Sequence, residues 1–327
     1  MKISEMKVGQ MVTERLVLSG AEVRKTKGAQ PSNYLSMAIT DGTDVLDGKI
    51  WNYSDKNGIP EVSRVYVFGG TIGEFAGKKQ IVVQKMSLSP NQDMREFSCT
   101  YTDDVEGLWT QVMAAIETID DAHIKQLTKY IYTVNKDKLM NSTSAKAVHH
   151  VGIGGNLAHT LEVFNYGLII AARLINQGRA VNMDLVRAGT LLHDVGKAFT
   201  YSITGPVIDY TFEGQLLDHI IIGIKLLEEA LATVDETYRD AGILLAHIIA
   251  AHHGQLEYGS PVTPKFAEAY IVNLADGISA SLDTLFTAND KAVKEGKEMT
   301  DRLYTLGNRE HILQTTLTTL LSNSSGS

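Results

Sequence analysis

At 327 residues the chain exceeds the length at which a single core usually divides, about 250 to 300 residues, so two domains are expected. Its composition, 44% hydrophobic and 21% charged, is that of a globular protein, and no run approaches the ~18 uninterrupted apolar residues of a membrane span. One cysteine, Cys99, excludes an intrachain disulfide and a cysteine-rich zinc site, and the opening MKISEMKVGQ lacks the apolar centre of a signal peptide, so a cytoplasmic protein with no membrane partner is expected. The net charge of -8 conceals an asymmetry: residues 1–90 carry 12 Lys/Arg against 9 Asp/Glu, a net of +3, and the rest carries 18 against 29, a net of -11.

In chain order, residues 10–24, 33–40, 45–53, 64–72 and 79–86 read as short strands. Leu35, Met37 and Ile39, and again Val65 and Val67, alternate with a period of two, and Asp41-Gly42, Asn57-Gly58 and Ala76-Gly77 mark turns. Five strands in under 90 residues predict a small barrel over 1–88. A polar, aperiodic linker follows at 89–103, and from there the period becomes helical. Asp103 or Asp104 and Asp120 or Asp121 are expected to cap the first two helices. Further helices are predicted from Asn156 to Gln177, from Asn182 to the His193-Asp194 pair, and over 216–234, 235–253 and 264–286, with a hairpin at 201–212. The helical domain is placed at 104–310 and a C-terminal tail at 311–327, ending in a disordered SerAsnSerSerGlySer.

Eight of the 10 histidines lie between His149 and His253. Divalent transition metals favour imidazole and carboxylate ligands, and a two-metal site needs a bridging carboxylate, which His193-Asp194 can supply. His159 on one helix, His193-Asp194 at the end of the next and Asp276 on a later helix can converge inside a bundle. His219, His252 and His253 offer imidazoles for a second metal, with Asp194 shared. Any one histidine on an apolar helix face is more often a hydrogen-bonded core residue than a ligand. The set reverses those odds, because LLHDVGK places His193 and Asp194 directly after apolar residues, where an unpaired pair would cost several kcal/mol. His247 is read as structural, while His149 and His150 are balanced between site wall and loop.

LLHDVGK resembles the signature of the HD superfamily of phosphohydrolases, and GGNLAHT resembles that superfamily's upstream histidine motif. With LLDHIIIG, AAHHGQLEYGSP and the preceding barrel in this order, residues 8–310 are similar to the YhaM-type 3'-to-5' exoribonucleases, an OB-fold joined to an HD domain. The resemblance implies a multidomain β + α architecture, an N-terminal OB-fold barrel followed by an all-α HD bundle. It implies His159, His193, Asp194 and Asp276 as ligands of one metal, with His219, His252 and His253 as second-metal candidates. The sequence departs from the pattern at Ser279, where an Asp-x-x-Asp-Ala run would place a second carboxylate, so a different outer shell around the ligands is expected.

Two metal ions would activate water and clamp the phosphoryl oxygens, with Mn first among Mn, Fe, Co, Ni and Zn. Asp194, His193 and Lys197 are the catalytic candidates. Lys197 is read either as a phosphate-binding cation or as a solvated helix-end charge. OB-folds bind single strands by stacking bases on aromatics in a positive groove. Tyr34, Trp51, Tyr53 and Phe75 are the candidate platforms, with Trp51 and Tyr53 expected on one strand face, and Arg24, Lys25, Lys27, Lys78 and Lys79 are the candidate backbone contacts. The expected function is 3'-to-5' hydrolysis of single-stranded RNA, with single-stranded DNA as a further substrate. Hydrolysis of a small nucleotide or cyclic dinucleotide, and non-catalytic strand binding as a replication accessory, are the alternatives. A homo-oligomer is compatible with the sequence and not indicated by it.

Overall fold

A computed structural model describes residues 1–27, 31–102, 104–146 and 150–324 of the chain. It divides into two compact units, Met1–Thr100 with Ser202–Asp209, and Tyr101–Tyr201 with the residues from Tyr210 onward.

The first unit holds five strands: β1 (Met11–Lys25), β2 (Asn33–Thr40), β3 (Val45–Trp51), β4 (Arg64–Phe75) and β5 (Lys78–Leu88). They close into a barrel in the order β1-β2-β3-β5-β4, antiparallel except for the β3–β5 pair. This is the OB-type barrel expected from the alternation. Its strands send every second side chain inward, and Leu16, Leu18, Leu35, Ile39, Phe68, Ile72 and Ile81 are sealed from solvent. β1 is long enough to serve two neighbours: its first half pairs with β4 and its second with β2, the register shifting between Leu18 and Gly20.

The segment expected as a linker is packed rather than free over its first part. Phe97 is buried with Val17 and Val65, and Gln92 uses its side-chain amide on both the N–H and the carbonyl of Val65, at 3.2 and 2.9 Å. A polar stretch can thus extend a barrel unit when its few apolar residues and amides find strand-edge partners.

The second unit is helical: α1 (Val105–Glu117), α2 (Ala122–Val134), α3 (Lys136–Met140), α4 (Gly155–Asn176), α5 (Met183–Leu192), α6 (Lys197–Thr200), α7 (Phe212–Leu231), α8 (Arg239–Ala251), α9 (Ala267–Lys294) and α10 (Gln314–Ser324). A hairpin of β6 (Tyr201–Thr204) and β7 (Val207–Tyr210) lies between α6 and α7 in sequence, where it was expected. Caps open the helices at the positions their chemistry favours: Asp104 accepts from the Gly107 N–H, Asp121 from Ile124, and Asn182 from Asp184 and Leu185. Asp103, the other candidate cap, and His149 lie outside the described residues.

The core gathers Ile116, Ile131, Leu191, Leu192, Leu227, Leu245, Ile248 and Val272 from α1, α2, α5, α7, α8 and α9. Burial of each such side chain contributes roughly 1.5–3 kcal/mol. Gly167 lets α4 approach α5 closely, since a Cβ there would stand 2.8 Å from the Thr190 methyl. At the C-terminal end, Leu313 is buried and the Thr300 N–H donates to the His311 carbonyl, so the tail expected from residue 311 is anchored at its start. α10 then runs to Ser324, into the stretch expected to be disordered, and the remainder of that stretch lies outside the described residues. Among the described residues no helix is long and apolar enough to cross a membrane.

Candidate metal centre

Five elements of the helical unit each bring one part of the site. On α4, His159 sits just past the left-handed Gly154 that starts the helix, and it is completely buried. α5 ends at Leu192, where the buried Tyr132 hydroxyl donates to the Leu191 carbonyl at 2.6 Å. His193 and Asp194 follow in the turn before α6, and both are buried. Gly196 continues that turn, and no other residue fits: a Cβ there would lie 2.0 Å from the His219 carbonyl. This close approach sets α7, and His219 with it, against Asp194. His252 and His253 leave the end of α8, where the Asn273 side chain of α9 donates to the His252 carbonyl at 2.7 Å. Asp276 stands one turn beyond Asn273 on α9.

The resulting distances define two adjoining groups. In the first, His159 Nε2 lies 3.3 Å from Asp194 Oδ2, 3.1 Å from Asp276 Oδ1 and 3.3 Å from His193 Nε2. In the second, His219, His252 and His253 bring their ring nitrogens within 4.8 Å of one another. Asp194 faces both. Its Oδ2 is 3.3 Å from His193 Nε2, and its Oδ1 is 3.5 Å from each of His219 Nε2 and His252 Nε2.

Every ring is held by its other nitrogen. The Nδ1–H of His193 donates to the Thr190 carbonyl, that of His252 to Ile249 and that of His253 to Tyr258, each at 2.8 Å. His219 Nδ1 donates to Asp218 Oδ1 at 2.7 Å, and His159 Nδ1 meets Ser279 Oγ at 3.0 Å. These contacts occupy Nδ1 and turn Nε2 of each ring toward the centre, the orientation that metal ligation through Nε2 requires.

The buried polar atoms show that the donor set fits a cation. Asp194 Oδ1, His219 Nε2 and His252 Nε2 are buried without a hydrogen-bond partner. Each such atom costs about 1–3 kcal/mol unless something satisfies it. An imidazole and carboxylate set of this kind suits a divalent transition metal in either group.

The two groups differ electrostatically. Burial alone would lower the pKa of His159, but its hydrogen bonds to Asp194 and Asp276 outweigh that and raise it to about 8. Burial favours the neutral form of Asp194, yet Lys197 and the His193 ring hold its pKa well below the usual carboxylate range. Asp276 is likewise depressed, the His159 contact overcoming its burial. His219, His252 and His253 have lowered pKa values, burial being the main cause.

Lys197 is not the solvated helix-end charge that was one reading of it. It is 8% exposed, and its Nζ lies 2.6 Å from Asp194 Oδ2. His150 is buried beside the first group, its ring centroid 5.2 Å from that of His159. His247 has a structural contact, its Nε2 accepting from the Lys265 N–H at 3.1 Å. Three parts of the site escaped the sequence reading. Asp218 sits at φ 56°, ψ 170° in a kink within α7, and both its partners belong to the next residue, His219. Asn273 acts through a backbone contact that no spacing rule reveals, and Glu162 acts through a hydroxyl, its place three residues after His159 being the available signal. An Asp immediately before a His was the available signal for the first.

On the barrel, the strand-binding candidates separate into two places. Arg24, Tyr34 and Trp51 stand opposite one another across β1, β2 and β3, and the two rings meet with centroids 5.0 Å apart. Lys49, missed in the sequence, places its Nζ 5.4 Å from the Tyr34 ring centroid. Trp51 is 46% exposed. Tyr53 does not share its face: β3 ends at Trp51, Asn52 turns the chain at φ 53°, and Tyr53 packs on the barrel core with its hydroxyl donating to the Gly58 carbonyl. Lys25 follows Arg24 and points to the opposite side of β1, while Lys27 is exposed beyond the strand end. Phe75, Lys78 and Lys79 lie elsewhere. Asp47 pairs with Gln80, so the register puts Lys78 level with Val45, six residues or about 20 Å along β3 from Trp51.

The HD domain family matches residues 156–281, which contain every member of both histidine groups. Over 317 residues the chain is 29% identical to the 3'-5' exoribonuclease YhaM of Geobacillus sp. (strain WCH70), covering 94% of this chain and 93% of that protein. Among solved structures, a domain of replication protein A from Methanococcus maripaludis aligns with 27% of this chain and 92% of its own, at 19% identity and a TM-score of 0.23. The chain thus pairs an N-terminal five-stranded barrel with a helical region, 156–281, that matches the HD domain, and it is similar over nearly its whole length to the exoribonuclease YhaM.

Proposed function

We propose that this protein is a metal-dependent exonuclease that removes nucleotides from the 3' end of single-stranded RNA. The observation that carries the reading is Asp194, whose two oxygens face two separate groups of imidazole nitrogens. A single carboxylate so placed suits a pair of divalent ions, which would supply Lewis acidity, lowering the pKa of water and neutralising charge on a phosphodiester. Manganese is the first choice among metals that accept this donor set.

The chain's own residues do the rest. His159, His193, Asp194 and Asp276 form one ligand group, and His219, His252 and His253 with the shared Asp194 form the other. Lys197, held against Asp194, serves as a donor to a phosphoryl oxygen. Burial of the His159, His193 and Asp194 side chains strengthens each electrostatic contact among them. The Tyr34–Trp51 pair, flanked by Arg24 and Lys49, offers bases a stacking surface beside positive charge. The similarity to a named 3'-5' exoribonuclease supports both the direction and the substrate.

Incubation of the protein and Mn(II) with 5'-labelled single-stranded RNA is expected to yield a ladder shortening stepwise from the 3' end. Chelation and Asp194→Ala should each abolish it. Retention of the ladder by Asp194→Ala, or preferential hydrolysis of a cyclic dinucleotide, would overturn the assignment.

A further inference from the structure

His159 stands between two residues one turn apart on α9. Its Nε2 faces Asp276, and its Nδ1 meets the hydroxyl of Ser279. That hydroxyl is completely buried and donates to Glu162 Oε2 at 2.9 Å. The direction of the chain follows from the last contact. A carboxylate can only accept, so the serine proton points to Glu162 and the serine oxygen accepts from the His159 Nδ1–H. Glu162 lies three residues after His159 on α4, the spacing that puts both side chains on one helix face. It is held in turn from outside: the buried His150 ring places Nε2 3.3 Å from the same oxygen, and the His150 N–H donates to Asp283 Oδ2 at 2.9 Å.

We infer that Glu162 is a positioning residue which, through the Ser279 hydroxyl, locks the His159 ring with Nε2 toward the centre and so sets metal affinity in the first ligand group. A serine alone would be a weak anchor, because its hydroxyl can rotate to donate to His159 and stabilise the wrong tautomer. With Glu162 in place the hydroxyl has one orientation, and the carboxylate polarises it, raising the basicity of His159 Nε2. The inference rests on reading His159, His193, Asp194 and Asp276 as metal ligands.

The test is Mn(II) affinity of the full-length protein, by chelator competition, together with the visible spectrum of the Co(II)-loaded form. Glu162→Gln and Ser279→Ala are each expected to weaken binding by about 10- to 100-fold and to change the Co(II) spectrum. Ser279→Asp in the Glu162→Gln background places a carboxylate directly on Nδ1 and should recover about tenfold or more of that loss. A purely structural role for Glu162 would not be rescued in this way. Folded Glu162→Gln with parental affinity overturns the inference, as does a double variant that binds no better than Glu162→Gln. If Glu162→Gln does not fold, Ser279→Ala, which removes one oxygen, decides in the same way. Absence of Mn(II) binding in the parent protein would overturn the ligand reading itself, whereas tight binding by parent and variants alike overturns the relay alone.

Discussion

The two halves of the centre share Asp194 and differ in how they balance charge without a metal. The first half contains two carboxylates, which hold a proton on His159 and raise its pKa to about 8. The second half contains three imidazoles whose pKa values are lowered by burial, and two of them keep a buried Nε2 with no partner. A cation entering the first half must therefore displace a proton, whereas one entering the second meets lone pairs already bare. The difference teaches that one carboxylate can face two groups of unlike character: one with a second carboxylate, suited to strong electrostatic attraction, and one of neutral imidazoles that would rely on their lone pairs and the shared oxygen.

The most disruptive change to this arrangement is loss of the shared group. Asp194→Ala is expected to lower RNA hydrolysis by at least ~10²–10³-fold, the scale associated with losing a charge-stabilising group, and to reduce metal content in both halves. Metal analysis of the purified variant beside its activity checks this. His219→Ala and His252→Ala should separate the halves instead, lowering content from about two ions per chain to about one and costing less activity. Equal loss from both halves would show that they do not fill independently.

Trp51→Ala leaves both halves untouched and should weaken single-stranded RNA binding by ~1–3 kcal/mol, raising KM with kcat little changed. Phe75→Ala, about 20 Å along the barrel by the strand register, should do less. The smallest effect expected is that of pH. For His159 the folded pKa is raised, so in chelated protein its contribution to stability is present below about 6.5 and is lost as pH rises through about 8. The unfolding midpoint should fall across that window, and Mn(II) affinity should rise over the same window as the competing proton leaves. The lowered histidines act in the opposite sense, losing their contribution as pH falls through their folded values.

Sequence patterns revealed different amounts of each unit. The barrel strands were legible because alternation such as Leu35, Met37 and Ile39 ends at turn residues, and β2 runs over the expected 33–40. Helix starts were legible where a cap announces them, as at Asp104, Asp121 and Asn182. Short helices such as α3 and α6 carry too few residues to show a period. His193 and Asp194 stood out because polarity follows directly on an apolar run. The convergence of His159, Asp276, His219 and His252 upon them depends on packing among α4, α7, α8 and α9, which periodicity alone cannot supply.

Contacts made through a single unexpected residue were the least legible. A serine at 279 looks like a lost carboxylate in the sequence. In the fold it passes the His159 contact to Glu162, on another helix and 117 positions away. The Trp51 and Tyr53 pairing failed for a local reason, since Asn52 at φ 53° ends the alternation that would have put both rings on one face. Phe75 and the neighbouring lysines were grouped with Trp51 on type alone, and only the β3–β5 register reveals their separation.

The bridging role of Asp194 is tested most directly by anomalous diffraction from crystals soaked in Mn(II). Two peaks about 3.5–4 Å apart, one on each side of the Asp194 carboxylate, are the predicted result. A single peak beside His159 and Asp276, with none among His219, His252 and His253, would contradict it.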